Sequence, residues 1–563
     1  MPNEATTAKD LRDDVQSVFL LGLKTGSQSR QIAEQAAGAG SSYLRGKDAF
    51  ELAYQALLAL PGSSANGKLL LTTATGQASQ AGQVVSEWKT AQANRATMFD
   101  EVGANGPTIL VVQITGIDVD ALWKDDVHHD PAVVKGGPTA TLTFFETALG
   151  QRADKQPDDA NGTFQTLKGD KVSVKRRGNT SRWDRKINLC VALDGDAASG
   201  FPKQVNLLNC IRDPAYERVR LSWALMAEAK CLAEPSAYAE MTLDGVYHGT
   251  YVAMPPPDES FFSGLFPGVS ERAVFRGQYG DIAGGATLAN RGPKGAGYFT
   301  AGSNPSSRTY EPRLDTTDAQ YDVLAQFIDV LHNSGDPTSS AFANSLLKIF
   351  DVATFLRTMA TINLLGAWDN YYLNAQNYIL HIALTDATSG SRTPFVSFCA
   401  YDMDSVLGLS WPSQKRNWQE KDILFRGTEL GNIVLAKRVL ENPDFRAYYC
   451  DFMAWFLEER FTSDWFARQR DAFWKRLEQT VYLESQSPFG PPDTLRPWTN
   501  DEVYRHAVLD QPLDASGSSA VGGLQVLGIG AFVRQRRERA LAQLKLEQLG
   551  GSGVDFGSGK WNL

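Results

Sequence analysis

The feature that most constrains this chain is a change of period partway along it. Between Pro107 and Ala253, threonine and apolar residues gather in short runs closed by turn residues; from Ala319 onward apolar residues recur at helical spacing. The strand-like runs are Thr108–Ile114, Thr139–Phe145, Lys171–Lys175, Ile187–Leu193, Ala239–Leu243 and Tyr247–Ala253, the last two joined by Asp244-Gly245, a hairpin turn. One helix is expected among them at Tyr216–Ala229, since Asp213 can cap it and Pro214 fits a first turn. Later helices are expected over Tyr321–His332, Ser340–Phe350, Val352–Leu365 (capped by Asp351), Asp444–Tyr482 and Gly530–Leu549. This order predicts an α+β protein of two lobes: a mixed one over residues 105–275 and a helix-rich one over 276–549. An Ala-, Gln- and Ser-rich stretch with helical spacing at Ala49, Leu52, Ala53, Ala56 and Leu57 precedes them, so residues 1–104 are read as a helical extension and 550–563 as a flexible tail.

Composition removes several function classes. Lys and Arg total 55 against 64 Asp and Glu, with no basic block, so nothing favours nucleic-acid binding. Apolar stretches such as Val18–Leu23 are far shorter than the roughly 20 residues of a membrane helix, so no membrane span is expected. The first 27 residues lack a basic start and a small-residue cleavage site, which predicts a cytoplasmic protein. Five scattered cysteines without C-x-x-C, and six histidines without H-E-x-x-H, predict reduced packing residues and no zinc site.

Oxygen ligands carry the chemistry. Asp369 and Asn374 stand in a D-x-x-x-x-N arrangement just after a helix, the spacing at which protein kinases place the acid that accepts a hydroxyl proton and the amide that binds magnesium. Downstream, Phe395–Ala400 reads as a strand leading into Tyr401-Asp402-Met403-Asp404. A carboxylate at a rigid strand end suits a hard metal, so Asp402 is the expected ligand and Asp404 a second ligand or an outer partner. Two acids one residue apart on an extended segment point opposite ways unless the chain turns there. In Arg177-Gly178-Asn179-Thr180-Ser181, glycine permits close approach and the polar groups can bond phosphates, while Lys186 opens the next strand and could reach them too. A hairpin turn and a solvated lysine are the plain alternatives. The Gly- and Asn-rich stretch Gly277–Asn304 lacks the phosphate-loop spacing and reads as a flexible surface loop.

In order, RGNTS with RK (Arg177–Lys186), DPAYERVRLSWAL (Asp213–Leu225), LDGVYHGTYV (Leu243–Val252), VFRG (Val274–Gly277), WDNYYLN (Trp368–Asn374) and YDMDSVLG (Tyr401–Gly408) resemble the CotH kinase family, named for a spore-coat protein. The resemblance runs from about Pro107 to Leu549. It implies an atypical protein-kinase fold that uses ATP with Mg2+ or Mn2+ to phosphorylate Ser or Thr hydroxyls of a protein or peptide. On this resemblance Asp369 is the catalytic acid, Asn374, Asp402 and Asp404 hold metal, and Lys186, Arg177, Asn179, Ser181 and Arg276 bind nucleotide; a spore-associated location is also admitted. The chain departs from the family at Pro255, where a glutamate is usual, and at Arg276, where lysine is common. The acid partnering Lys186 stays open between Glu217 and Glu228, and Arg218 or Arg220 resembles the family's basic residue on this helix, with ion pairing on the helix surface as the plain alternative. Two other functions remain open: transfer of another group to a peptide or small molecule, and a catalytically weak scaffold, which Pro255 favours and the retained Asp369, Asn374 and Asp402 oppose.

Overall fold

The structure, a computed structural model, describes residues 109–548 except 119–120, 123–132, 136–140, 148–164, 169–171, 179–185, 194–203, 230, 267–268, 270, 280–284, 301–307, 387–391, 411–416, 427–432, 485–497 and 515–524. The expected extension and tail therefore lie outside the described residues.

Alternation of side chains across strands builds a sheet with apolar material on both faces. Among the described residues nine strands take part: β1 (Ile109–Thr115), β2 (Val134–Lys135), β3 (Thr141–Thr147), β4 (Gln165–Lys168), β5 (Val172–Arg176), β6 (Leu189–Leu193), β7 (Gln204–Leu208), β8 (Ala237–Leu243) and β9 (Val246–Met254). Their spatial order is β2-β5-β6-β7-β9-β8-β1-β3-β4. Among the described strands of this sheet only β1 and β8 pair in parallel, with Ile109 opposite Tyr238. Along β9, Tyr251 and Ala253 enter one core with Val205, Leu207 and Met241, while Val252 and Met254 enter the larger core on the other face. Asp244 and Gly245 both take positive φ, 48° and 79°, as the predicted hairpin turn between β8 and β9 requires.

A second sheet, β11-β10-β12-β13, follows, from β10 (Arg272–Gly277), β11 (Tyr310–Arg313), β12 (Tyr378–Asp386) and β13 (Arg392–Ala400). Helices surround it: Tyr321–Asn333, Ser340–Leu347, Val352–Leu364, Pro443–Glu459, Ser463–Glu484 and Ile529–Gln548 among them. The Val352–Leu364 helix is buried almost all round, and Asp351 accepts from the Thr354 amide at 3.1 Å, so the predicted cap forms. It fixes where the following loop begins.

Two sequence expectations are corrected here. The helix after Pro214 starts at Arg218, because Tyr216 sits at φ 60° and breaks the helical path; the Asp213 carboxylate still holds the turn by accepting from the amides of Ala215 and Arg218. The described part of the Gly-rich stretch is anchored rather than loose. Ala286, Leu288 and Tyr298 are fully buried, and the Ala286 amide donates to Ala375 O at 3.0 Å. Added Cβ atoms at Gly285 and Gly295 would meet backbone at 3.1 and 2.6 Å, so those glycines serve close approach. No helix among the described residues is long and apolar enough to cross a membrane.

Candidate active site

The Asp369 loop is held by what flanks it. Trp368 is buried, stacks on Trp418 with centroids 6.0 Å apart and donates its indole N–H to Leu409 O at 2.9 Å; Tyr371 and Tyr372 are buried just after it. Such burial stabilises by about 1.5–3 kcal/mol per large side chain, which fixes a loop that local hydrogen bonds alone would leave loose. Asn370 caps the short Tyr371–Asn374 helix, and Ala375 and Asn377 at φ 50° and 55° turn the chain into β12.

Asp369 therefore meets its own neighbours. Its Oδ1 accepts from Asn374 Nδ2 at 2.7 Å and Gln376 Nε2 at 2.5 Å, while Asn377 Nδ2 donates to its backbone carbonyl at 2.9 Å. Burial raises the pKa of this carboxyl above its ordinary value; the charge of Asp402 adds to the rise, and the Asn374 and Gln376 amides oppose it. A basic, oriented carboxylate is suited to taking a proton from a hydroxyl. With its Nδ2 spent on Asp369, Asn374 has its amide oxygen left for a cation.

Asp402 leaves the strand at φ 57°, the turn that the sequence requires if neighbouring acids are to act together. Both Asp402 and Asp404 line an open cleft together with Arg177, Glu234 and Tyr401. Crowding by protein pushes the Asp404 carboxyl up to about 7, helped by Asp402 and Asp369 and opposed by Arg212. Its surface is nonetheless open to the cleft, so solvent screens part of that effect. Arg177 Nη2 donates to the Tyr401 hydroxyl at 3.4 Å. Burial works against its charge, but Tyr401, Asp402 and Glu234 more than offset this and raise its pKa. Arg276 stacks on the Tyr401 ring, its guanidinium carbon 4.7 Å from the centroid.

Lys186 lies elsewhere. Its side chain is wholly buried, with Nζ 2.7 Å from Glu484 Oε1 and 2.5 Å from Thr250 O. Glu484 Oε2 also accepts from the Thr250 amide at 3.2 Å. Thr250 and cleft-lining Met254 are four residues apart on β9, about 13 Å at ~3.3 Å per residue. The structure thus brings Asp369, Asn374, Asp402, Asp404, Arg177 and Arg276 into one region and seats Lys186 outside the cleft. Asn179 and Ser181 lie outside the described residues. The acid beside Lys186 is Glu484, neither Glu217 nor Glu228. Arg218 and Arg220 are fully buried, which corrects their surface reading. Arg218 binds the Asp213 carboxylate, Leu527 O at 2.6 Å and His506 Nε2 at 3.3 Å; Arg220 lies 3.8 Å over the Phe473 ring.

Sequence reasoning missed Glu484, Glu234 and Gln376. Gln376 was within reach of inspection, two residues past Asn374; the other two are joined to the site only by the fold. Among the described residues no three His, Cys, Asp or Glu side chains group closely enough to hold a metal by themselves. The donors nonetheless fit magnesium or manganese, which take hard oxygens and commonly use one or two carboxylates with phosphates and water completing the shell. The repulsion from Asp402 and Asp369 that adds to the effect of burial on Asp404 is what a cation between these acids would relieve.

A family model described as CotH kinase protein matches residues 174–489, more than half of the chain. No curated protein matches the sequence closely enough to count as a relative.

Proposed function

The chain belongs to the CotH kinase family, and from that premise we propose that it transfers the γ-phosphoryl group of ATP to a Ser or Thr hydroxyl of a protein or peptide. The observation carrying this reading is the hydrogen-bonded Asp369, raised in basicity and within electrostatic reach of Asp402. Two lobes, residues 105–275 and 276–549, would supply the walls of the cleft: Arg177 and Glu234 come from the first, Asp402 and Asp404 from the second.

In this mechanism Asp369 orients the acceptor hydroxyl and takes its proton as the oxygen attacks the γ-phosphorus. The bond from that phosphorus to the bridging oxygen of the β-phosphate breaks, and ADP leaves with the electron pair. Asn374, Asp402 and Asp404 would hold Mg2+ or Mn2+, whose chemistry is to neutralise charge on the phosphate oxygens. Arg177 and Arg276, with Asn179 and Ser181, would bind the nucleotide. Lys186 contributes through its pair with Glu484, as a post beneath β9.

Incubation with γ-labelled ATP, either metal and candidate proteins tests the proposal, with intact-mass analysis of the product. Phosphate on Ser or Thr is the expected result. A nucleotidyl adduct, or ATP binding with no transfer to any acceptor offered, would count against it.

A further inference from the structure

We infer that the Glu234 carboxyl is the group that recognises the ribose of the bound nucleotide, an inference that rests on the ATP reading above. Glu234 stands between the Arg218–Glu228 helix and β8, lines the cleft and is only 6% exposed. Its carboxyl makes no hydrogen bond or ion pair with the described residues, although Arg177, Asp402 and Arg276 act on its charge from further off. A carboxyl this deep costs free energy unless its oxygens are satisfied, so one facing an open cleft points to a partner that arrives from solution.

The residues lining the cleft point to which part of a nucleotide that is. Leu208, Val219, Trp223 and Met254 give it an apolar wall, suited to a flat base; Arg177, Asp402 and Asp404 give it a charged end, suited to phosphates with metal. Glu234 lines the cleft together with both sets. β8 begins with Ala237 paired to Ala253, next to Met254 of the apolar wall, while Arg177 and Asp402 of the charged end are its main electrostatic neighbours. In a nucleoside triphosphate the piece joining base to phosphates is the ribose, whose 2′- and 3′-hydroxyls are donors that a carboxyl oxygen accepts. Glu234 also shares the cleft with Met254, the residue just before Pro255, so the carboxyl that resemblance leads one to expect after β9 is supplied from the segment leading into β8.

Equilibrium binding of ATP, 2′-deoxy-ATP, 3′-deoxy-ATP and inorganic triphosphate to the full chain, with Mg2+ or Mn2+ present, tests this. The wild-type protein should prefer ATP over at least one deoxy analogue by roughly tenfold or more, the scale of one hydrogen bond to an acidic group. Glu234→Ala should bind ATP no better than that analogue and leave triphosphate binding unchanged. Equal binding of all three nucleotides by the wild-type chain overturns the inference alone, with no variant needed. So does equal weakening of nucleotides and triphosphate by Glu234→Ala and Glu234→Gln, which would make the residue a support for Arg177 and Arg276. Failure of every nucleotide to bind overturns the ATP reading and this inference together.

Discussion

Asp369 and Asp402 have different partners and should fail differently when removed. Asp369 is tied to Asn374 and Gln376 on its own loop, whereas Asp402 faces the cleft with Arg177. Asp369→Ala should keep thermal stabilisation by metal–ATP while losing about 10²–10⁴ in turnover, the usual range for a general base. Asp402→Ala should lose both, since charge repulsion between triphosphate and the remaining acids is then uncompensated. A nearly active Asp369→Ala variant, or normal metal–ATP binding by Asp402→Ala, sinks these assignments once circular dichroism shows both folded. Lys186 calls for a different experiment. Removing it alone strands the buried Glu484 charge, so Lys186→Met should cost about 3–5 kcal/mol in urea unfolding, and adding Glu484→Leu should restore most of it. The restored protein should still bind metal–ATP; loss of that binding would show that the lysine reaches the phosphates after all. The residues legible in sequence were those whose chemistry is local, Asp369 with Asn374 and Asp402 at a strand end. Glu484 was illegible because 298 positions separate it from Lys186 and nothing local marks it.

At the scale of elements, strands announced themselves wherever one face had to be apolar and the flanks had to turn. The runs read as Lys171–Lys175 and Tyr247–Ala253 are observed as Val172–Arg176 and Val246–Met254, shifts of a residue at most. The short strands β7, β10 and β11 were not anticipated: each holds only four to six residues, too few for alternation to stand out. The glycine-rich stretch misled for a physical reason. Glycine marks conformational freedom in a sequence, but in a packed chain it equally marks the closest contacts, as Gly285 shows against the carbonyl oxygens of Asn374 and Ala375. Gly249 is the sharper case, because it lies on β9 at φ 96°, where an added Cβ would fall 2.6 Å from the Glu484 side chain. Gly249→Ala should therefore lower stability by roughly 1–3 kcal/mol through overpacking alone, with further loss from the left-handed backbone. Chemical denaturation measures it. An unchanged midpoint would mean that the end of the Ser463–Glu484 helix does not press on β9 as described.

For the whole molecule, the buried ionisable groups set how stability follows pH. Burial lowers His248 from the usual 6.5 to about 4, and His381 and His506 to about 3. His381 lies between the Phe262 and Phe266 rings, and His506 donates Nδ1–H to Gln511 O while accepting from Arg218, so neutral imidazoles suit both sites. Burial raises Glu217 from 4.5 to about 7 and Glu234 to about 8, and Asp369 moves the same way. A histidine with a lowered folded pKa contributes stability that is complete above 6.5 and is lost as pH falls toward 3–4. A carboxyl with a raised folded pKa contributes stability that is complete below about 4.5 and is lost as pH rises toward 7–8. Each proton changes stability by about 1.4 kcal/mol per pH unit where it is bound in one state only. Between pH 4.5 and 6.5 the two sets oppose and nearly cancel. Below that window only the histidines act, and above it only the carboxyls do. The metal-free protein should consequently be most stable near pH 5–6.5, falling on both sides, with the alkaline fall shallower in Glu234→Gln. Urea midpoints from pH 3.5 to 8.5 check this. A midpoint that stays level from pH 6.5 to 8.5 would show that Glu217 and Glu234 are ionised in the folded chain, and that their surroundings are wetter than the packing of the Arg218–Glu228 helix and β8 allows.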